Sequence, residues 1–125
     1  MSTLGRLSEA ETEVMQAIWE LAGPVTVAQL LVIFDERKQW KTSTLSTILS
    51  RLIDKGFLTK SMKGKVNFYE VVLTFQEYQK RETQNLLTNL YSGNVKSFVA
   101  ALVDDEIVSR EDIDELKRWF LKQKV

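Results

Sequence analysis

The chain has 125 residues, 44% of them hydrophobic, and its 17 basic and 17 acidic side chains cancel to a formal charge of zero. That is enough apolar material for one ordinary core plus an appended module, and too much for a disordered chain. With neither cysteine nor histidine, disulfides, thiolate or imidazole metal sites and Cys or His catalysis are excluded.

The five glycines form neither a nucleophile elbow nor a phosphate-cradling loop. No enzyme, cofactor or metal is therefore expected. The longest unbroken apolar run is the six residues 98–103, far short of the ~20 a membrane-spanning helix requires, so no membrane insertion is expected. The opening MSTLGRLSEAE does not read as a signal peptide, and the expectation is a cytoplasmic protein.

In chain order, Ser8 with Glu11 three residues later forms a capping box, and Val14, Ile18 and Leu21 follow at helical spacing. Gly23 and the only proline, Pro24, end this first helix. A second box, Thr26 with Gln29, opens a helix through Leu30, Leu31, Ile33 and Phe34 to about Lys38. After Trp40 a third helix carries Leu45, Ile48, Leu49, Leu52 and Ile53 at i, i+3, i+4, i+7 and i+8, with Gly56 as its stop.

The opposite face of that helix is unusual. Six of the nine residues 42–50 are hydroxylic: Thr42, Ser43, Thr44, Ser46, Thr47 and Ser50, followed by Arg51. Serine and threonine are indifferent helix formers, so a face built for stability alone carries Glu, Lys, Gln or Ala more often. Short hydroxylic side chains beside an arginine suit close approach to a major groove, with hydroxyls for phosphates and base edges and a guanidinium for guanine or phosphate.

Downstream, residues 57–61 and 66–72 have strand character and flank Met62, Lys63, Gly64 and Lys65, which reads as a hairpin with a basic tip. Helix, helix, helix, hairpin is the order of a winged helix, whose third helix enters the major groove while the wing grips the flanking backbone. Lys60, Lys63 and Lys65 are then candidate phosphate contacts. The charge distribution agrees: residues 37–65 hold eight cations against the single Asp54, a net +7, whereas residues 1–36 carry −5 and residues 66–125 carry −2. Such a block is the footprint of a polyanion-binding surface.

From residue 73 onward only helical signals remain, over residues 74–90, 95–103 and a last helix capped by Ser109 that runs to about Lys122. Ile113, Leu116, Phe120 and Leu121 form one stripe with Trp119 beside it, and Phe98, Val99, Leu102 and Val103 make the middle segment apolar. Three such pieces can hardly bury themselves alone. Either they fold back onto the first domain or two copies share a core, and pairing is favoured because operator recognition is usually two-fold symmetric.

These residues resemble a family, the penicillinase repressors, which includes the repressors of beta-lactamase and methicillin-resistance genes and a copper-transport branch. The similarity runs over residues 7–121, and its most specific stretch is WKTSTLSTILSRLIDKGFL at residues 40–58. LSEAETEVMQAIW in the first helix, Leu90 to Gly93, the run at residues 97–103 and the segment at residues 113–116 are similar as well. Lys41 and Thr42 depart from the Ser-Pro often found after the tryptophan, which changes the helix start.

The resemblance implies a mainly α fold with a small β wing: a winged helix-turn-helix DNA-binding domain at residues 1–72 and a helical dimerisation domain at residues 73–125. It further implies repression of transcription by a homodimer on palindromic operators in double-stranded DNA. Lys41, Thr42, Ser43, Thr44, Ser46, Thr47, Ser50, Arg51, Lys60, Lys63 and Lys65 are the candidate DNA contacts. Tyr78, Leu86, Leu90, Phe98, Val99, Leu102, Val103, Ile113, Leu116, Trp119 and Phe120 are the candidate dimer contacts. Antibiotic-responsive members are inactivated by a regulatory protease at an Asn-Phe bond, where this chain has Ala101-Leu102, a candidate cleavage pair. Metal sensing through paired Cys-x-Cys motifs is excluded by the absence of cysteine. Two other readings of the residues stay open: a winged helix used as a protein-interaction module, and a non-specific architectural nucleic-acid-binding protein.

Overall fold

Helix α1 (Glu9–Leu21) begins where Ser8 accepts from the Glu11 amide through its hydroxyl (3.2 Å) while the Glu11 carboxylate accepts from the Ser8 amide (2.8 Å). This reciprocal cap satisfies two of the amides that any helix start leaves orphaned. The same device, Thr26 with Gln29, starts α2 (Val27–Lys38). The computed structural model describes residues 6–123, so part of the N-terminal stretch read for a signal peptide lies outside the described residues.

Helix α3 (Thr42–Asp54) follows a three-residue turn, Gln39 to Lys41, in which Gln39 adopts a left-handed conformation (φ +56°). Trp40 stacks on Phe34 at 4.9 Å between ring centroids and so fixes the angle at which α3 leaves α2. At its far end the Phe57 amide donates to the Leu52 carbonyl (2.9 Å) and the Gly56 amide to Ile53 (3.0 Å), with Gly56 at φ +84°. This is a Schellman stop, and it needs a residue that tolerates positive φ.

Strands β1 (Leu58–Lys63) and β2 (Val66–Val71) pair antiparallel, Leu58 opposite Val71 and Lys63 opposite Val66. The turn is thus two residues, Gly64 and Lys65, shorter than the four-residue tip expected, because Gly64 at φ +63° lets the strands pair to the very end. Val25 adds a one-residue third strand, exchanging hydrogen bonds of 2.9 and 2.8 Å with Tyr69. Behind these elements lies one core: Val14, Met15 and Ile18 of α1, Leu30 and Phe34 of α2, Leu45, Ile48, Leu49 and Leu52 of α3, with Phe57, Leu58 and Tyr69.

The chain divides into two compact units, Met1–Tyr78 and Gln79–Val125. The first includes the opening turn of α4 (Phe75–Tyr91), because Phe75 and Tyr78 each lie 5.2 Å from the Trp19 ring and Tyr78 meets Phe57 edge-on at 5.9 Å. The Trp19 indole N–H donates to the Leu73 carbonyl (3.0 Å) and locks that ring in place. The second unit consists of the rest of α4 with α5 (Val95–Asp104) and α6 (Arg110–Leu121). Not one residue of these three helices is buried. The architecture is mainly helical with a two-stranded wing, the fold class the sequence implied.

Candidate nucleic-acid interface

The faces of α3 divide as cleanly as its spacing demands. Leu45, Ile48, Leu49 and Leu52 are buried, while Thr42, Ser43, Thr44, Ser46, Thr47, Ser50 and Arg51 are all exposed. The core thus grips the helix by one stripe and holds the hydroxyls and the guanidinium outward. Thr47 donates its hydroxyl to the Ser43 carbonyl (2.9 Å), one helical turn back, while the residue stays exposed.

The start of α3 differs from every other helix start. Ser8, Thr26, Asn94 and Ser109 cap α1, α2, α5 and α6, and Thr74 exchanges hydrogen bonds with Glu77 at the head of α4. At α3 the N-cap is Lys41, whose side chain makes no cap hydrogen bond. The first amides of this helix therefore keep their donors free of side-chain acceptors, at the positive end of the helix dipole and beside an exposed ammonium. An anion is the natural complement of such a terminus.

On the wing, Lys60, Lys63 and Lys65 are exposed. Lys63 Nζ lies 5.9 Å from the centre of the Phe68 ring, which leans the ammonium along the outer face of the hairpin. The wing also exposes Met62 (66%) and Val66 (48%), apolar side chains that sequence reasoning passed over because the lysines beside them dominated the reading.

Two cations of the basic block are engaged in ion pairs within the first unit. Lys55 donates to the carboxylate of Glu11, which is only 2% exposed, and to the Arg6 carbonyl (2.7 Å). Burial alone would push the Glu11 carboxyl up, but hydrogen bonds from Lys55 and from the Ser8 amide and hydroxyl, with the charge of Lys55, hold it below the usual glutamate value. Lys38 is paired with Glu13 at 3.1 Å. These two cations tie α1 to the ends of α3 and α2. The outward charge rests on Arg37, Lys41, Arg51, Lys60, Lys63 and Lys65. Only the three-dimensional pairing separates the two groups.

Of the candidate dimer contacts, Leu86, Leu90, Val99, Val103, Leu116, Trp119 and Phe120 are exposed and Phe98, Leu102 and Ile113 half-buried within the second unit. Tyr78 stands apart from them, half-buried against Trp19 and Phe57 in the first unit. Ala101 and Leu102 sit inside α5, where the Ala101 carbonyl accepts from Asp105 (3.2 Å) and the Leu102 carbonyl from Ile107 (3.0 Å). Among the described residues no group of three or more acidic side chains could hold a metal ion, and no helix is long and apolar enough to cross a membrane.

The chain is similar to known proteins. The family model described as penicillinase repressor matches residues 7–122. The chain is 28% identical to the penicillinase repressor of Bacillus licheniformis over 93% of its own length and 90% of that protein's. It is 27% identical to the methicillin resistance regulatory protein MecI of Staphylococcus aureus, over 94% of each chain. Among solved structures, the solution structure of the DNA-binding domain of the repressor BlaI superposes with a TM-score of 0.54 at 29% identity, covering 62% of this chain and 94% of that domain.

Proposed function

Since the chain belongs to the penicillinase repressor family, we propose that it represses transcription by seating α3 in the major groove of operator DNA. The observation that carries this reading is the exposed hydroxyl and arginine face of α3, headed by a helix start without a side-chain cap and flanked by the wing lysines. Ser43, Thr44, Ser46 and Thr47 are short enough to let the helix axis come close, and Ser50 and Arg51 reach base edges or phosphate one turn further on. Thr42 and Lys41 meet a backbone phosphate at the positive end of the dipole. Lys60, Lys63 and Lys65 hold the flanking backbone.

The protein acts as a homodimer on a palindromic site. Support comes from the second unit, whose helices carry apolar side chains of which none is fully buried. In this scheme the DNA-binding module (residues 1–72, with the first turn of α4 packed onto it) and the dimerising helices are separate devices in a cytoplasmic regulator. A regulatory protease would have to unwind α5 to reach the Ala101-Leu102 bond, because the carbonyls on both sides of it are engaged in the helix end. Recovery of an intact chain from derepressed cells removes that route, and a fragment ending at Ala101 establishes it.

Footprinting on the DNA upstream of the chain's own gene tests the main reading. The expected result is two protected half-sites one helical turn, or a whole multiple, apart. If the pair of wings and helices neutralises about eight phosphates, affinity falls by roughly 10⁴ between 50 and 200 mM salt. A protein that ignores DNA at low salt is a protein-interaction module, and one that protects DNA without half-sites is architectural.

A further inference from the structure

On the first unit an open groove of about 680 Å³ runs between the C-terminal half of α1, the end of β2 and the first turn of α4. Its size lies within the range of about 300–1,000 Å³ typical of small-molecule sites. Trp19, Val71 and Phe75 give it apolar and aromatic walls. Phe75 is 41% exposed although it opens a helix anchored on Trp19. The single ionisable side chain among its lining residues is Glu20.

Glu20 stands where folding gives no reason for a carboxylate. It is the penultimate residue of α1, at the negative end of the helix dipole, and no basic residue shares that last turn. On its other side is a smaller cavity lined in part by Arg37 and Lys38, but Lys38 is taken by Glu13 and Arg37 makes no ion pair with Glu20 within 4 Å. An anion at the lip of an aromatic groove, with no cation paired to it within 4 Å among the described residues, is complementary to one kind of ligand.

We propose that this groove binds an amphiphilic organic cation, its apolar body against Trp19 and Phe75 and its positive charge at Glu20. The locked Trp19 indole supplies a fixed ring edge and face, and the Gln16 and Gln76 amides supply polar contacts at the rim. The inference is independent of DNA binding, since the groove takes nothing from the outward face of α3 and only Val71 from the wing, at the end of β2 remote from the basic tip.

Titration of the full chain with tetraphenylphosphonium, and with tetraphenylborate as an anion of closely matched size and shape, is the test. Calorimetry should give phosphonium binding about tenfold or more tighter than borate. Amide shifts in two-dimensional NMR should concentrate at Trp19, Glu20, Val71 and Phe75. Glu20→Gln should lower phosphonium affinity about tenfold without lowering the melting temperature, because it removes an unfavourable dipole interaction. Glu9→Gln, at the opposite end of α1 and outside the groove, should leave phosphonium affinity unchanged. Equal affinity for the two ions, shifts confined to the second unit, or no binding up to the solubility limit overturns the proposal. So do concentration-dependent shifts at Trp19 and Phe75 in the ligand-free chain, which make a second copy the occupant.

Discussion

Lys41 occupies the N-cap of α3, where it offers no acceptor to the first amides and sets a cation against the positive end of the dipole. Stability would prefer serine there, so Lys41→Ser should raise stability by about 0.5–1 kcal/mol in urea unfolding. The same change should weaken DNA binding and reduce the salt slope by about one. Unchanged salt dependence would remove Lys41 from the interface. Glu11 is the converse, a residue held by folding alone. Its folded pKa lies below the unfolded one, so its ionised form contributes stability that is full above the ordinary glutamate range and is lost as pH falls through the lower folded value. Glu11→Gln should therefore cost about 1–3 kcal/mol at neutral pH, with the gap to wild type closing as the medium becomes acidic. A constant gap down to acid pH would show that charge plays no part. Ser8 and Glu11 were legible as a cap, but nothing in the order of residues revealed that Lys55, 44 positions away, shares the same carboxylate.

Among the elements, the wing depends most on one backbone angle. Gly64 has φ +63° and a Cβ there would touch nothing within 4 Å, so strain and not crowding is what a side chain would add. Gly64→Ala should cost roughly 1–2 kcal/mol by the left-handed backbone penalty, read by chemical denaturation, and should weaken DNA binding by loosening the lysines beside it. No loss of stability would mean the turn can adopt another form. Helix α3 was the most legible element, because burial of Leu45, Ile48, Leu49 and Leu52 follows directly from a 3.6-residue period. The hairpin was legible in kind but not in length. Strand ends are set by whether the turn geometry lets the last pair close, which the composition of residues 62–65 does not state.

For the molecule as a whole, the weight falls on the contrast between a first unit with a continuous buried core and a second unit with no buried residue in any helix. Exposed apolar helices of this kind gain most by meeting their own copy, which removes the same surface from water twice. The chain should sediment as a dimer, and the pair Trp119→Glu with Phe120→Glu should sediment as a monomer that keeps the fold of the first unit and binds operator DNA far more weakly. A native chain that stays monomeric at the concentrations used for footprinting would end this part of the scheme.

The sequence by itself determined the periodic parts of this protein: three capped or stopped helices, a basic hairpin, a hydroxylic third helix and three helical segments after it. Those features follow from spacing along one chain, since a period of 3.6 or 2 selects which side chains share a face. The tertiary structure alone decided which cations face outward and which are consumed by Glu11 and Glu13, how Trp19 fastens the start of α4, and where an aromatic groove opens beside Glu20. Each of these is a meeting of residues far apart in sequence, and such meetings are fixed by how the elements pack, which no local pattern encodes.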